Sequence, residues 1–122
     1  MARKILLVDD SEPLRRRMRS FLEQEGFEIC GEATNGREAI EKVRELVPDL
    51  AILNLSMPIM GGLQALPDMV RSLPGIRILI FTLHETEEIK QQAFRLGAQG
   101  FVGKSASPED LLTEVKRLLE GG

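Results

Sequence analysis

Two adjacent carboxylates, Asp9 and Asp10, directly follow a short apolar run near the start of the chain. Further polar groups end or follow other apolar runs: the amide of Asn54, the hydroxyl of Thr82 and the ammonium of Lys104. Paired carboxylates can hold Mg²⁺, which keeps several waters and takes its remaining oxygens from a phosphate. A lysine and a hydroxyl can then bind the other phosphoryl oxygens. These residue types together indicate phosphoryl chemistry if the fold brings them to one place.

Each of these groups also has an ordinary structural explanation. Acids before a helix favour its N-terminus, a threonine at a strand end can bond to backbone, and lysines are common at protein surfaces. If that explanation held for all of them, their shared position after apolar runs would be a repeated coincidence. A common site is therefore the stronger interpretation.

Unbroken apolar runs predict strands that are covered on both faces, as in a parallel sheet. The clearest runs are residues 5–8, 50–53 and 78–81, and weaker strands are predicted at residues 28–33 and 100–102. Stretches of helical periodicity follow each strand. Alternating strands and helices predict an α/β fold, an open parallel sheet with helices on both faces. Ligands bind such sheets beside the carboxyl ends of the strands, which is where the polar groups lie.

Apolar residues at helical spacing mark the faces that the helices bury. These faces comprise Leu14, Met18, Phe21 and Leu22; Ile40, Val43 and Val47; Ile89, Ala93 and Leu96; and Leu111, Leu112, Val115, Leu118 and Leu119. Helix ends are predicted at Gly26, Pro48, Gly97 and Gly121, and Ser107 is predicted to cap the last helix. Pro67 lacks a backbone N–H, so the third helix should start late, be short, or bend between residues 63 and 73.

The bulk composition fits one domain over residues 1–122, with 43% hydrophobic and 29% charged residues. No apolar run is long enough to span a membrane and no secretory signal precedes the first strand, so we expect a cytoplasmic protein. A net charge of -3 gives no general reason to bind nucleic acid. The lone Cys30 is expected to pack as a small hydrophobe. Because Gly121 and Gly122 lie just past a helix end, we expect a further domain beyond them.

These motifs resemble the receiver domains of two-component response regulators along essentially the whole chain. The resemblance is carried by ILLVDD at residues 5–10, PDL at 48–50, LNLSMP at 53–58, the Phe81 and Thr82 pair, and the stretch 97–104. It implies a five-stranded parallel sheet of order 2-1-3-4-5. It also implies that Mg²⁺ binds Asp9, Asp10, position 54 and the Ser56 carbonyl, and that Lys104 binds phosphate. Thr82 and Phe101 would be the switch residues, although Phe101 also suits plain core packing.

Asn54 departs from this family pattern. Active receivers have aspartate at this position, and its carboxylate takes a phosphoryl group from a phosphohistidine of a sensor histidine kinase. A neutral amide is a very poor nucleophile, so we expect no stable acyl phosphate on Asn54. Mg²⁺ binding should weaken because a carboxylate is lost, although the amide oxygen could still coordinate. The asparagine is either an introduced substitution or a natural loss of the acceptor.

Leu83 with His84, and Lys104 with Ser105, resemble the NarL/FixJ subfamily of response regulators. Many relatives have proline where this chain has Ser105. Full-length members of the subfamily carry a C-terminal helix-turn-helix domain, so the resemblance implies a DNA-binding output domain, a sensor kinase partner and a capacity for homodimers. Arginines at 15–17 and 19 form either a solvated helix face or a surface for docking the kinase.

Other functions remain as alternatives. A phosphatase or phosphotransferase would favour a D-x-D motif after the first strand, whereas this chain has Asp9, Asp10, Ser11 and Glu12 there. A flavodoxin-like cofactor site needs hydrogen-bond donors at that place, and the nucleotide-binding motif G-x-x-x-x-G-K-[ST] is missing. We therefore expect a signalling domain and no enzyme. A pseudo-receiver that acts by protein binding alone remains open.

Overall fold

The computed structural model describes residues 3–120, in which five strands alternate with five helices. The strands are β1 (Lys4–Val8), β2 (Glu28–Ala33), β3 (Leu50–Leu53), β4 (Arg77–Thr82) and β5 (Gly100–Gly103). The helices are α1 (Glu12–Gln24), α2 (Gly36–Leu46), α3 (Gly62–Ser72), α4 (Glu87–Leu96) and α5 (Pro108–Glu120). The predicted strands are confirmed, each to within one residue at either end.

All strand pairs are parallel, and the sheet has the order β2-β1-β3-β4-β5. This order confirms the expectation drawn from the family resemblance. Ladder hydrogen bonds continue just past the strand ends: the Asn54 N–H donates to the Val8 carbonyl at 2.9 Å, and the Lys104 N–H donates to the Thr82 carbonyl at 2.8 Å. The residues that follow the strands are therefore held in register with the sheet.

The core consists of two clusters, one on each face of the sheet. Leu6 and Val8 of β1 join the cluster that α2, α3 and α4 cover, whereas Ile5 and Leu7 join the cluster that α1 and α5 cover. Alternate residues of one unbroken apolar run thus serve opposite faces, as expected for a strand buried on both sides. The predicted placement of helices on both faces is confirmed.

Most of the predicted helix signals act as expected. Ser107 accepts a hydrogen bond from the Asp110 N–H at 3.1 Å, and Gly97 ends α4 with a φ of 121°. Helices α1 and α2 end two residues before Gly26 and Pro48. The stop predicted at Gly121 lies outside the described residues. None of the helices within residues 3–120 is long and apolar enough to cross a membrane.

The late start predicted for α3 is wrong. The helix begins at Gly62, continues past Pro67 and has eleven residues, as many as α2. Proline removes one helical hydrogen bond near the first turn, but Leu66 and Met69 beside it are fully buried against the sheet. Packing of this apolar face outweighs the missing bond, which periodicity alone did not reveal.

Val47 was predicted on the buried face of α2, and this prediction is also wrong. The helix ends at Leu46, and Val47 adopts a left-handed conformation with a φ of 49° and a side chain 52% exposed. The chain turns there before Pro48, whose ring disfavours continued helical backbone in the preceding residue. A β-branched residue in this conformation is strained.

We predict that Val47→Asn stabilises the protein. Asparagine tolerates the left-handed region, and little buried area is lost at so exposed a position. The free energy of unfolding in urea should rise by about 1 kcal/mol. Val47→Ala is the control, because it shortens the side chain but keeps the Cβ that causes the strain. An equal gain from alanine would show that conformation is not the cause.

Candidate functional site

The polar groups predicted from sequence meet in one cavity of about 260 Å³ at the carboxyl ends of the strands. Its lining residues are Asp9, Asp10, Ser11, Asn54, Ser56, Thr82, Leu83, His84 and Lys104. All the residues predicted for the phosphate and metal sites are among them. Phe101, predicted as a switch residue, is half-buried and packs against the α2, α3 and α4 cluster. It does not line the cavity.

A buried ion pair joins Asp9, which follows β1, to Lys104, which follows β5. The Lys104 ammonium lies 2.8 Å from Oδ2 of Asp9, and these side chains are only 14% and 5% exposed. The other oxygen of Asp9 accepts the Ser11 N–H at 2.9 Å. Lys104 also lies over the Phe81 ring, 5.9 Å from its centroid. Both carboxylate oxygens of Asp9 therefore already have partners.

Asn54 lines the cavity at the end of β3 and is almost fully buried. Its Nδ2 donates to the Ser56 carbonyl at 2.9 Å and lies 3.4 Å from Oδ1 of Asp10, whose residue is exposed. The amide thus supplies donors to two neighbouring oxygens. An aspartate at this position would lack these donors and would add a third negative charge.

Thr82 lines the cavity at the end of β4 and is fully buried. Its hydroxyl oxygen accepts the His84 N–H at 3.1 Å, and its carbonyl accepts the Lys104 N–H at 2.8 Å. Thr82 therefore makes the backbone contacts expected of a strand end and also lines the cavity.

Sequence reasoning missed the role of Arg15 and Glu32. Arg15 is largely buried, and its guanidinium donates to the Asp9 carbonyl at 2.6 Å and to the Glu32 carboxylate at 2.7 Å. Glu32 also pairs with Arg19 at 2.8 Å. These contacts hold the backbone that carries the two acids. One signal was available: Arg15 follows the helix cap Ser11 by one turn, so it lies next to the acids.

The basic run on α1 does not form one uniform surface. Arg16 pairs with Glu12 within the helix, and Arg15 and Arg19 reach toward β2. Arg17 takes part in no ion pair with any residue between 3 and 120, and it lines an apolar groove of about 320 Å³ between α1 and α5. Lys104 lines both this groove and the polar cavity.

The oxygen atoms predicted as Mg²⁺ ligands are close together, but their present arrangement does not fit the ion. Asp9 is occupied by Lys104 and a backbone amide, and the Asn54 group that faces Asp10 and Ser56 is a hydrogen-bond donor. A hard cation needs oxygen there. Within the described part of the chain, no three His, Cys, Asp or Glu residues are arranged to hold a metal ion.

The fold and the cavity define the class of protein: an open α/β domain whose polar site lies where the winding of the sheet reverses. Comparison with known protein families then identifies the family. The model of the response regulator receiver domain matches residues 5–116. The chain belongs to this family and is a receiver domain of a two-component response regulator.

Individual relatives agree with this assignment. The chain is 37% identical over 119 residues to the chemotaxis protein CheY of Halobacterium salinarum, covering 98% of each protein. It is 31% identical to the response regulator UvrY of Escherichia coli, covering 96% of this chain and 54% of UvrY. The fold matches a LuxR-family two-component response regulator from Aurantimonas sp. SI85-9A1 with a TM-score of 0.94 and 34% identity, over 99% of this chain and 87% of that one. The chain thus spans about half the length of UvrY.

We predict that Glu32 contributes to stability in a pH-dependent way. Burial alone would raise the pKa of Glu32, but hydrogen bonds from Arg15 and Arg19 outweigh it and lower the pKa below 4.5. A lowered pKa in the folded state stabilises the protein above 4.5, and this stabilisation is lost as the pH falls through the folded value. Urea unfolding of Glu32→Gln should therefore show a shallower loss of stability between about pH 5 and pH 3 than the parent. Parallel pH profiles would contradict this role.

Proposed function

We propose that position 54 is the phosphoacceptor position of this receiver, and that Asn54 prevents its phosphorylation by a sensor histidine kinase. The observation that supports this proposal is the place of Asn54 in the cavity. It follows β3, and its side chain lies between Asp10 and the Ser56 carbonyl. Lys104 and Thr82 line the same cavity and would face an incoming phosphoryl group.

The chemical reason for the loss of phosphorylation is the nature of the amide. Transfer from phosphohistidine requires a nucleophilic oxygen that can form an acyl phosphate, and a carboxylate supplies it. The Asn54 nitrogen has its lone pair delocalised into the carbonyl and is already engaged as a donor to Ser56. Asp9, Asp10, Thr82 and Lys104 line the same cavity, so we expect that a carboxylate at position 54 would restore the reaction.

We predict that the chain stays unmodified when it is incubated with acetyl phosphate and Mg²⁺, and that Asn54→Asp gains one phosphoryl group. Intact mass spectrometry measures the gain, and peptide mapping assigns it to position 54. Asn54→Ala is the matched control, since it changes the same position without adding a nucleophile. Loss of the label in hydroxylamine would identify an acyl phosphate. Acyl phosphate on the parent chain would refute the proposal, and so would an unlabelled Asn54→Asp protein that is folded.

We also propose that Asn54 weakens Mg²⁺ binding at Asp10 and the Ser56 carbonyl. Its Nδ2 donates toward both oxygens, so a cation would have to replace these hydrogen bonds and turn the amide. Aspartate at this position would instead add a ligand oxygen and negative charge, both of which favour Mg²⁺.

The expected result is that Mg²⁺ raises the unfolding temperature of Asn54→Asp but has little effect on the parent. A ligand present at about 100 times its Kd stabilises the folded state by about 2.7 kcal/mol, so the shift is easily measured. Adding Asp10→Asn to Asn54→Asp should remove most of the response. An equal response in the parent and in Asn54→Asp would disprove the weakening while leaving the phosphoacceptor assignment intact.

The partners proposed for this domain are a sensor histidine kinase and, in the full-length protein, a DNA-binding output domain. The resemblance of Leu83, His84 and Ser105 to the NarL/FixJ subfamily supports the output domain, as does the similarity to a LuxR-family regulator. The groove beside Arg17 supports kinase docking, because it shares Lys104 with the cavity as a lining residue. In this proposal the domain transmits signals and does not act as an enzyme.

A phosphorylation-independent interaction module is the second candidate. One observation favours it: Asn54 satisfies Ser56 and approaches Asp10 by itself, so the cavity is held together without phosphate or metal. A domain of this kind could bind partners in a single state. Signalling by the parent chain that Asn54→Asp does not alter would favour this candidate over a disabled phosphoacceptor.

A further inference from the structure

Two loops border the cavity on the side of β4 and β5. Residues 83–86 connect β4 to α4, and residues 104–107 connect β5 to α5. Glu85 in the first loop and Ser105 in the second are in direct contact. The Ser105 hydroxyl lies 2.8 Å and 3.0 Å from the two carboxylate oxygens of Glu85, and the Ser105 N–H lies 3.4 Å from one of them. We propose that this contact, the Glu85–Ser105 latch, makes the two loops move together.

Gly103 makes room for the latch. A Cβ placed on Gly103 would lie 2.1 Å from both Cδ and Oε1 of Glu85, far closer than atoms can approach. The carboxylate therefore lies directly over the backbone at the end of β5. Because the φ of Gly103 is not in the left-handed region, a larger residue here would cause no backbone strain but would have to displace the Glu85 carboxylate.

The latch lies one residue away from cavity residues on both loops. Ser105 follows Lys104, whose ammonium pairs with Asp9, and Glu85 follows His84, whose N–H is bonded to the Thr82 hydroxyl. A movement of Lys104 away from Asp9 would therefore pull on residues 83–86. In the opposite direction, a partner that displaced this loop would disturb the Lys104 pair. Glu85 and Ser105 are thus positioning residues and not catalytic ones.

The latch is a property of this sequence and not of the fold alone. Proline in place of Ser105 would have neither the hydroxyl nor the N–H that contact Glu85. Both latch residues are exposed, and exposed charged contacts are weak enough to open and close. The loop that contains Glu85 carries an exposed apolar side chain, since Leu83 is 74% exposed. The latch therefore suits a reversible restraint on the surface that residues 83–86 present to a partner.

The test is amide hydrogen exchange measured by NMR on the full chain. Ser105→Ala should raise the exchange rate of the His84 amide, which is hydrogen-bonded to the Thr82 hydroxyl, by roughly three- to tenfold, because the loop opens more often. Amides in β1 and β3 should exchange as in the parent, which separates loop opening from global destabilisation. Glu85→Gln keeps an acceptor oxygen for the hydroxyl and should restore most of the protection that Glu85→Ala loses. Unchanged exchange in Ser105→Ala would overturn the proposal.

A double-mutant cycle and Gly103→Ala provide independent checks. If the two latch residues act through each other, the Glu85→Ala and Ser105→Ala pair should exchange no faster than either single variant. Fully additive effects would contradict a direct contact. Gly103→Ala should push the carboxylate aside and raise exchange of the His84 amide while Glu85 and Ser105 are both present. If its β1 and β3 amides also exchange faster, the variant is globally destabilised, and Ser105→Ala alone then decides. None of these outcomes depends on whether position 54 accepts phosphate.

Discussion

The ion pair between Asp9 and Lys104 is the constraint on which the site depends. A carboxylate as buried as Asp9 is costly unless a cation and hydrogen-bond donors satisfy it. Its partner follows the edge strand β5, and β3 and β4 lie between β1 and β5. The ion pair therefore bridges the ends of β1 and β5, and Asn54 and Thr82, at the ends of β3 and β4, line the same cavity. The strand order therefore decides both which residues form the ion pair and where the cavity lies.

If position 54 is the phosphoacceptor position, as proposed, its amide changes the chemistry of this cavity without changing its framework. Asn54 is similar in size to aspartate, keeps its place after β3, and adds donors that the neighbouring oxygens can accept. It also removes a negative charge from beside Asp9 and Asp10, which lowers repulsion in the apo state. The amide thus supports the folded structure through its hydrogen bonds to neighbouring oxygens.

The loops that border the cavity are held less firmly than the strand ends that line it. The strands belong to a sheet that is buried on both faces, whereas the loops are joined by side-chain contacts. Arg15 restrains the loop after β1, and Glu85 with Ser105 joins the loops after β4 and β5. Arg15 is largely buried, whereas both residues of the latch are exposed. We therefore expect movement first at residues 83–86.

The sequence by itself determined the elements and the composition of the site, because burial on two faces and helical amphipathicity leave periodic patterns along the chain. These patterns located the strands, and the residues after them, within one position. They failed at Val47 and Pro67, where the turn before Pro48 and the packing of α3 outweighed local preference. Only the tertiary structure decided what Arg15 holds, which way the Asn54 amide points, and that two loops meet across Gly103. Such contacts join side chains distant in sequence over about 3 Å, and no local periodicity encodes the direction in which a side chain turns.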